Sequence, residues 1–81
     1  MISGDQIFSA TEYNYETLAN RLREERELRG WTQAELARRI GVSRKTVNTI
    51  ENRVFVPSTL IALKLATALE MPVEELFSIS D

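Results

Sequence analysis

The stretch from Thr32 to Asn52, TQAELARRIGVSRKTVNTIEN, leaves the chain the least freedom. It holds two short helical patterns separated by a tight break at Gly41-Val42-Ser43. Thr32 is a helix-starting residue type, and Glu35 follows three positions later. The threonine oxygen can accept the Glu35 backbone N–H while the glutamate carboxylate returns to the Thr32 N–H, a capping box. Leu36, Ala37 and Ile40 then form one apolar stripe at helical spacing. Gly41 follows the last of them, where a left-handed stop costs glycine least. Ser43 can cap the second helix, and Val47 and Ile50 give that helix a narrow inward face. Arg44, Lys45, Asn48 and Thr49 lie elsewhere on its cylinder and face outward.

Two short helices joined by a three- to four-residue turn containing glycine make a helix-turn-helix pattern. A polar, cationic outer face on the second helix is what a major-groove reader needs. The stretch resembles the lambda-repressor-like (Cro/cI, XRE-type) DNA-binding domains. The residues carrying the likeness are Gln33-Ala34-Glu35-Leu36-Ala37, Gly41-Val42-Ser43, Val47 and Ile50-Glu51-Asn52, followed by Pro57-Ser58, the run from Leu63 to Leu69, and Val73-Glu74-Glu75-Leu76-Phe77. It covers residues 17–78. The resemblance implies an all-α fold of five helices, with the helix-turn-helix formed by helices two and three. It also implies a partnership with double-stranded DNA.

The chain has 81 residues, enough for one small domain. Cores of this size are marginal, so dimerisation is an expected extra source of stability. Cysteine and histidine are both absent. That removes disulfides, thiolate metal sites, the commonest general base and the commonest metal ligand. No metal, cofactor or small-molecule ligand is expected. Nothing approaches a membrane span, and Met1-Ile2-Ser3-Gly4-Asp5 lacks a signal-peptide layout, so a cytoplasmic protein is the default expectation. The net charge of −2, evenly spread, would oppose nucleic acid, but the charge is segregated. Residues 21–53 carry nine Lys/Arg against five Asp/Glu, a net of +4, while the remainder nets −6. The positive excess falls on the segment bearing the two capped helices. Taken alone, such a segment is more often a solvated helix face.

The expected organisation is an N-terminal arm or flexible tail over residues 1–15 and a helix-turn-helix domain over residues 16–79. Ile7-Phe8, Tyr13 and Tyr15 leave the first segment open between an arm, a dimer strand and a tail. Helix one is predicted from Glu16 to Arg29, with Leu18, Leu22 and Arg26 in one row, Gly30 ending it and Trp31 anchored behind the turn. Glu24, Glu25 and Glu27 give it a mixed exposed face. An arginine on an inward row needs a partner, and the resemblance supplies one: a structural ion pair of Arg26 with Glu51. Family members often have glycine where Arg53 stands. Asn52 accepts a left-handed conformation better than arginine, so Asn52 is expected to take that turn. Helix four is predicted to start on Ser58 with Leu60, Leu63, Ala66 (or Thr67) and Leu69 as its apolar face. Helix five is expected over Val73 to Phe77, after Pro72, with Glu74 and Glu75 in its first turn.

Arg44 and Lys45 open the second helix of the pair, where long cations can reach guanine O6 and N7. The plainer reading is a phosphate contact or a solvated first turn. Thr46, Asn48 and Thr49 are the next candidates for base contacts, since asparagine can bond adenine and threonine can offer a methyl to thymine. Gln33 starts the helix that crosses the DNA backbone. The resemblance gives it a phosphate and a recognition-helix side chain to brace. Ser43, Asn52 and Arg53 are the other candidate phosphate contacts, while Arg38 and Arg39 read as ordinary exposed charges. Trp31 reads as core rather than as a stacking platform. Leu76, Phe77 and Ile79 form the candidate dimer interface, because family members commonly dimerise through this end.

The leading functional expectation is a sequence-specific DNA-binding transcriptional regulator, a repressor, acting as a homodimer on a two-fold symmetric operator. RNA polymerase is the further partner if it activates. The alternative is a protein-interaction module, an antitoxin or adaptor with a toxin-like partner, in which DNA binding is secondary. An enzyme is the weakest reading, because the adjacent glutamates are helix-surface residues rather than a paired site.

Overall fold

The structure, a computed structural model, describes residues 17–80. The element order is β1 (Thr17–Asn20), α1 (Leu22–Leu28), α2 (Gln33–Ile40), α3 (Arg44–Glu51), α4 (Thr59–Leu69), α5 (Val73–Leu76) and β2 (Phe77–Ser80). The arm or tail expected over residues 1–15 lies outside the described residues.

Helices α2, α3 and α4 each begin on a hydroxyl. Thr32 accepts from the Glu35 N–H, Ser43 from Thr46 and Ser58 from Ile61. This satisfies one of the amides that every helix start leaves open. The return half of the Thr32 capping box does not form. The Glu35 carboxylate instead receives Arg38 at 2.6 Å and Arg39 at 2.8 Å. The Arg38 hydrogen bond foremost holds that carboxylate below the usual range.

The four longer helices stop in one way. In each, a residue of positive φ follows the helix, and two N–H groups turn back to the last carbonyls, the Schellman arrangement. Gly30 (φ 73) and Gly41 (φ 76) fill that position after α1 and α2. Arg53 (φ 60) and Glu70 (φ 56) fill it after α3 and α4. After α3, Arg53 N donates to Ile50 O at 3.0 Å and Val54 N to Thr49 O at 2.9 Å. Asn52, expected to take this turn, has φ −91. Its N–H still bonds Asn48 O at 3.1 Å, and its side-chain Nδ2 bonds the same carbonyl at 2.9 Å. These bonds keep Asn52 on the helix, so the left-handed step falls to Arg53.

Helix one is shorter than predicted, because Thr17–Asn20 pairs as a strand with Phe77–Ser80. The ribbon is antiparallel, with Leu18 opposite Ile79 and Asn20 opposite Phe77. Asn20 makes the switch from strand to helix. Its Oδ1 accepts the Leu22 N–H at 3.0 Å, and its Nδ2 donates to Ile50 O at 3.0 Å. The last helix ends at Leu76 for the same reason, since Phe77 has already joined β2.

Leu22, Leu36, Ala37, Ile40, Val47, Ile50, Leu65, Leu69, Leu76 and Phe77 form one buried cluster, against which Leu18, half-buried Trp31 and Ile61 pack. Leu76 and Phe77, read from sequence as dimer residues, are therefore inside the protomer. Of that trio, Ile79 is exposed, at 73%. The buried row of α4 is Leu65, Ala66 and Leu69 rather than the predicted row through Leu60 and Leu63, which stay 62% and 51% exposed. Thr59–Leu69 is apolar nearly all round, so its periodicity names no face. Contact with α2 and α5 does.

Two ionic clusters bind α1 to the rest. Glu51, on α3, has a fully buried side chain. It receives Arg26 Nε at 2.6 Å and Nη2 at 3.2 Å, Gln33 Nε2 at 3.0 Å and Arg23 Nε at 3.4 Å. Arg26 Nη1 also donates to Trp31 O at 2.8 Å. The second cluster centres on Glu25, which the sequence reading placed on an exposed face but which is buried. It lies between Arg21 at 3.0 Å and Arg29 at 2.9 Å, and Arg29 also donates to Leu69 O at the end of α4.

Burial pushes the Glu51 carboxyl up most strongly of any single influence. The hydrogen bonds from Arg26, Gln33 and Arg23 together outweigh it, leaving the group below its ordinary 4.5. Because the folded-state pKa is the lower one, this stabilisation is complete above the ordinary carboxylate range. It is lost as pH falls below 4.5 and through the folded value. Glu51→Ala should cost about 3–5 kcal/mol in urea unfolding at neutral pH, the effect of stranding a buried Arg26. It should also flatten the acid limb of the stability–pH curve. At the α4 stop, Glu70→Gly should leave the fold unchanged and raise stability by up to about 1 kcal/mol, since glycine takes positive φ without the side-chain penalty.

Candidate nucleic-acid interface

Helices α2 and α3 pack through Leu36, Ala37, Ile40, Val47 and Ile50, all buried. That packing fixes which side of α3 is outward. Arg44 and Lys45 are exposed on its first turn. Thr46, Asn48 and Thr49 are half-buried along it, and Asn52 and Arg53 are exposed at its end. Ser43 is exposed at the start, and Gln33 is half-buried at the start of α2.

These side chains are linked rather than independent. Gln33 Oε1 accepts Arg44 Nη1 at 3.0 Å, while Gln33 Nε2 reaches both Asn48 Oδ1 at 3.1 Å and Glu51 Oε1 at 3.0 Å. Asn48 Oδ1 also receives Asn52 Nδ2 at 3.2 Å, and Asn52 Oδ1 receives Arg23 Nη2 at 3.0 Å. An exposed arginine is thus connected through one glutamine to the buried carboxylate that holds α1 and α3 together. Asn48 spends its acceptor oxygen inside this network, so its Nδ2 is what it offers outward. A two-bond contact to adenine needs both ends of the amide. Arg23 was not singled out from the sequence. Its position one turn before Arg26 on the same row was the available signal.

The cations divide cleanly. Among the described residues, Arg21, Arg23, Arg26, Arg29, Arg38 and Arg39 each have a carboxylate within 4.0 Å. No such partner is present there for Arg44, Lys45 or Arg53, nor for Lys64, which lies on α4 outside the helix-turn-helix. The uncompensated positive charge of the helix-turn-helix therefore sits at the two ends of α3. Arg39 also lies 3.9 Å over the Trp31 ring, so that face of the indole is already covered. Ser43 is spent on the Thr46 N–H, and the Arg44 and Lys45 amides of the first turn have no intrahelical acceptor, as at any helix start, which leaves them open to an anion.

No helix of the structure is long and apolar enough to cross a membrane, and no group of acidic residues is placed to hold a metal ion, among the described residues.

Known proteins share this fold. A helix-turn-helix family model matches residues 22–76. An uncharacterized HTH-type transcriptional regulator of Bacillus subtilis, YgzD, is 40% identical over 60 residues, covering 74% of this chain and 91% of that protein. The antitoxin HipB of Escherichia coli K12 is 34% identical over 71 residues, covering 88% of this chain and 75% of its own. Among solved structures, the restriction-modification controller protein C.AhdI from Aeromonas hydrophila superposes with a TM-score of 0.67 at 42% identity, over 70% of this chain and 86% of that one. A matched family model spanning more than half the residues, relatives above 30% identity and a shared fold agree. The chain belongs to the XRE-type helix-turn-helix family of DNA-binding transcriptional regulators, which are not enzymes.

Proposed function

We propose that residues 16–79 form a sequence-specific reader of double-stranded DNA that works as a homodimer on a two-fold symmetric operator and represses by occluding promoter DNA. The observation that carries this reading is the placement of Arg44, Lys45 and Arg53 at the two ends of α3 with no carboxylate near them among the described residues. Cations left uncompensated on a major-groove helix favour a polyanion. Arg44 reads guanine O6 and N7, held in register by Gln33, and Lys45 reads the neighbouring base. Ser43, Gln33, Asn52 and Arg53 hold phosphates on either side. Thr46, Asn48 and Thr49 face the bases between them. In the dimer the two α3 helices enter successive major grooves about 34 Å apart. Ile79, exposed on the ribbon, belongs to the surface where the protomers meet.

A second reading is favoured by the likeness to antitoxin HipB over most of the chain. In it a toxin-like protein is the main partner, and DNA binding is secondary. Exposed Leu60 and Leu63 give such a partner apolar surface.

Selection of bound duplexes from a random pool tests the first reading, since it reports sequence preference, half-site spacing and symmetry together. On the selected site, Arg44→Ala should relax preference at one base-pair position, at about 1–3 kcal/mol. Arg53→Ala should weaken all sequences alike and lower the slope of log K against log salt by about 0.9. Indistinguishable behaviour of the two variants would remove Arg44 from base reading. No enriched sequence at low salt, together with co-purification of a folded partner, would favour the second reading over the first.

A further inference from the structure

A groove of about 320 Å³ runs beside the outward face of α3, lined by Lys45, Thr46, Thr49, Val54 and Phe55. Three of these residues are on the helix proposed to read bases. The other two come from the segment after its left-handed stop. Backbone bonds fix their position, since the amides of Val54 and Phe55 both donate to Thr49 O, at 2.9 and 3.2 Å. Val54 is 76% exposed and Phe55 44%.

The groove is more apolar than its residue names suggest. Thr49 Oγ1 donates to Thr46 O at 2.9 Å, and Thr46 Oγ1 lies 3.0 Å from Ser43 Oγ. Both hydroxyls are engaged by residues three positions earlier in the chain, which leaves the methyls as the unengaged apolar ends of the two side chains. With the ring of Phe55 and the branches of Val54, this makes an apolar wall whose single charge is Lys45. The floor of a DNA major groove presents donors, acceptors and one apolar feature, the C5-methyl of thymine.

Building on the DNA-reading function above, we propose that this groove receives the C5-methyl of a pyrimidine, thymine in ordinary DNA. Phe55 is a specificity-determining residue supplied by the loop rather than by the recognition helix. Lys45, at the rim, holds its own base beside the wall. The methyl displaces water from the ring of Phe55 and from the Thr46 and Thr49 methyls.

Replacing each thymine of the selected duplex in turn by deoxyuridine removes only the methyl, and fluorescence anisotropy then reads the affinity of the unaltered protein. At one position per half-site the affinity should fall about fourfold, the weight of one buried carbon. Phe55→Ala should bind the thymine and uracil duplexes alike, and Phe55→Leu should keep part of the difference. Equal affinity of the unaltered protein for thymine and uracil at every position overturns the proposal. So does a thymine–uracil difference that persists undiminished in Phe55→Ala. Failure to prefer any duplex sequence is a separate result: it removes the DNA-reading function, and this inference with it.

Discussion

The side chain of Glu51 has no contact with solvent, and a carboxylate in that position must be neutralised by the chain itself. Arg26 comes from α1, Gln33 from α2, and Arg23 closes the open side. Three helices therefore converge on one charge. A few leucines and a valine between short helices can pack in more than one arrangement, because apolar contact is undirected. A carboxylate that needs donors in fixed directions admits far fewer. A buried pair is poor as a source of net stability. Here it ties α1 and α2 to α3 at one carboxylate, with Arg44 joined to it through Gln33.

The same economy governs the charges. Arginines near the core are matched to carboxylates, Arg26 with Glu51 and Arg29 with Glu25. The exposed pair Arg38 and Arg39 is matched to Glu35. None of these can approach DNA without leaving a partner. Arg44, Lys45 and Arg53 have no such partner to leave among the described residues, so a phosphate or a guanine edge meets no competing carboxylate. Net charge hides this, since an acidic chain can still present positive charge wherever it leaves cations uncompensated.

How much of this was legible in the sequence depended on distance along the chain. Thr32, Ser43 and Ser58 act on amides three residues away, and Gly41 acts on the next turn. Such features are local and were readable. Arg26 with Glu51 was reachable only through the family resemblance. Thr17–Asn20 was read as helix because Leu18 and Leu22 have helical spacing, and its strand partner lies at the other end of the domain where no local window reaches. The periodicity sets Leu60 and Leu63 inward because Thr59–Leu69 is apolar on nearly every side, with Lys64 its one charge. Asn52 was given the left-handed turn on residue preference, whereas its own side chain holds it on the helix and passes the turn to Arg53. The joining of Arg23 and Gln33 to Glu51, and the enclosure of Thr46 and Thr49 by Val54 and Phe55, depend on how elements pack. Neither has a sequence signature.

The pairing of Leu18 with Ile79 and of Asn20 with Phe77 makes the described chain a ring in space. Its first and last elements are neighbours, and between them α1 packs on α3, α3 on α2, α2 on α4 and α4 on α5. Closing a loop of this length costs conformational entropy that grows only with the logarithm of its size, so the ribbon adds little penalty while restraining both ends at once. A ring has no necessary starting point. A polypeptide bridged across the ribbon and opened instead between Phe55 and Val56, past the bonds that close α3, would pass through the same helices in the same cyclic order. The arrangement of α2 against α3 would then be a property of the circuit, independent of where synthesis begins.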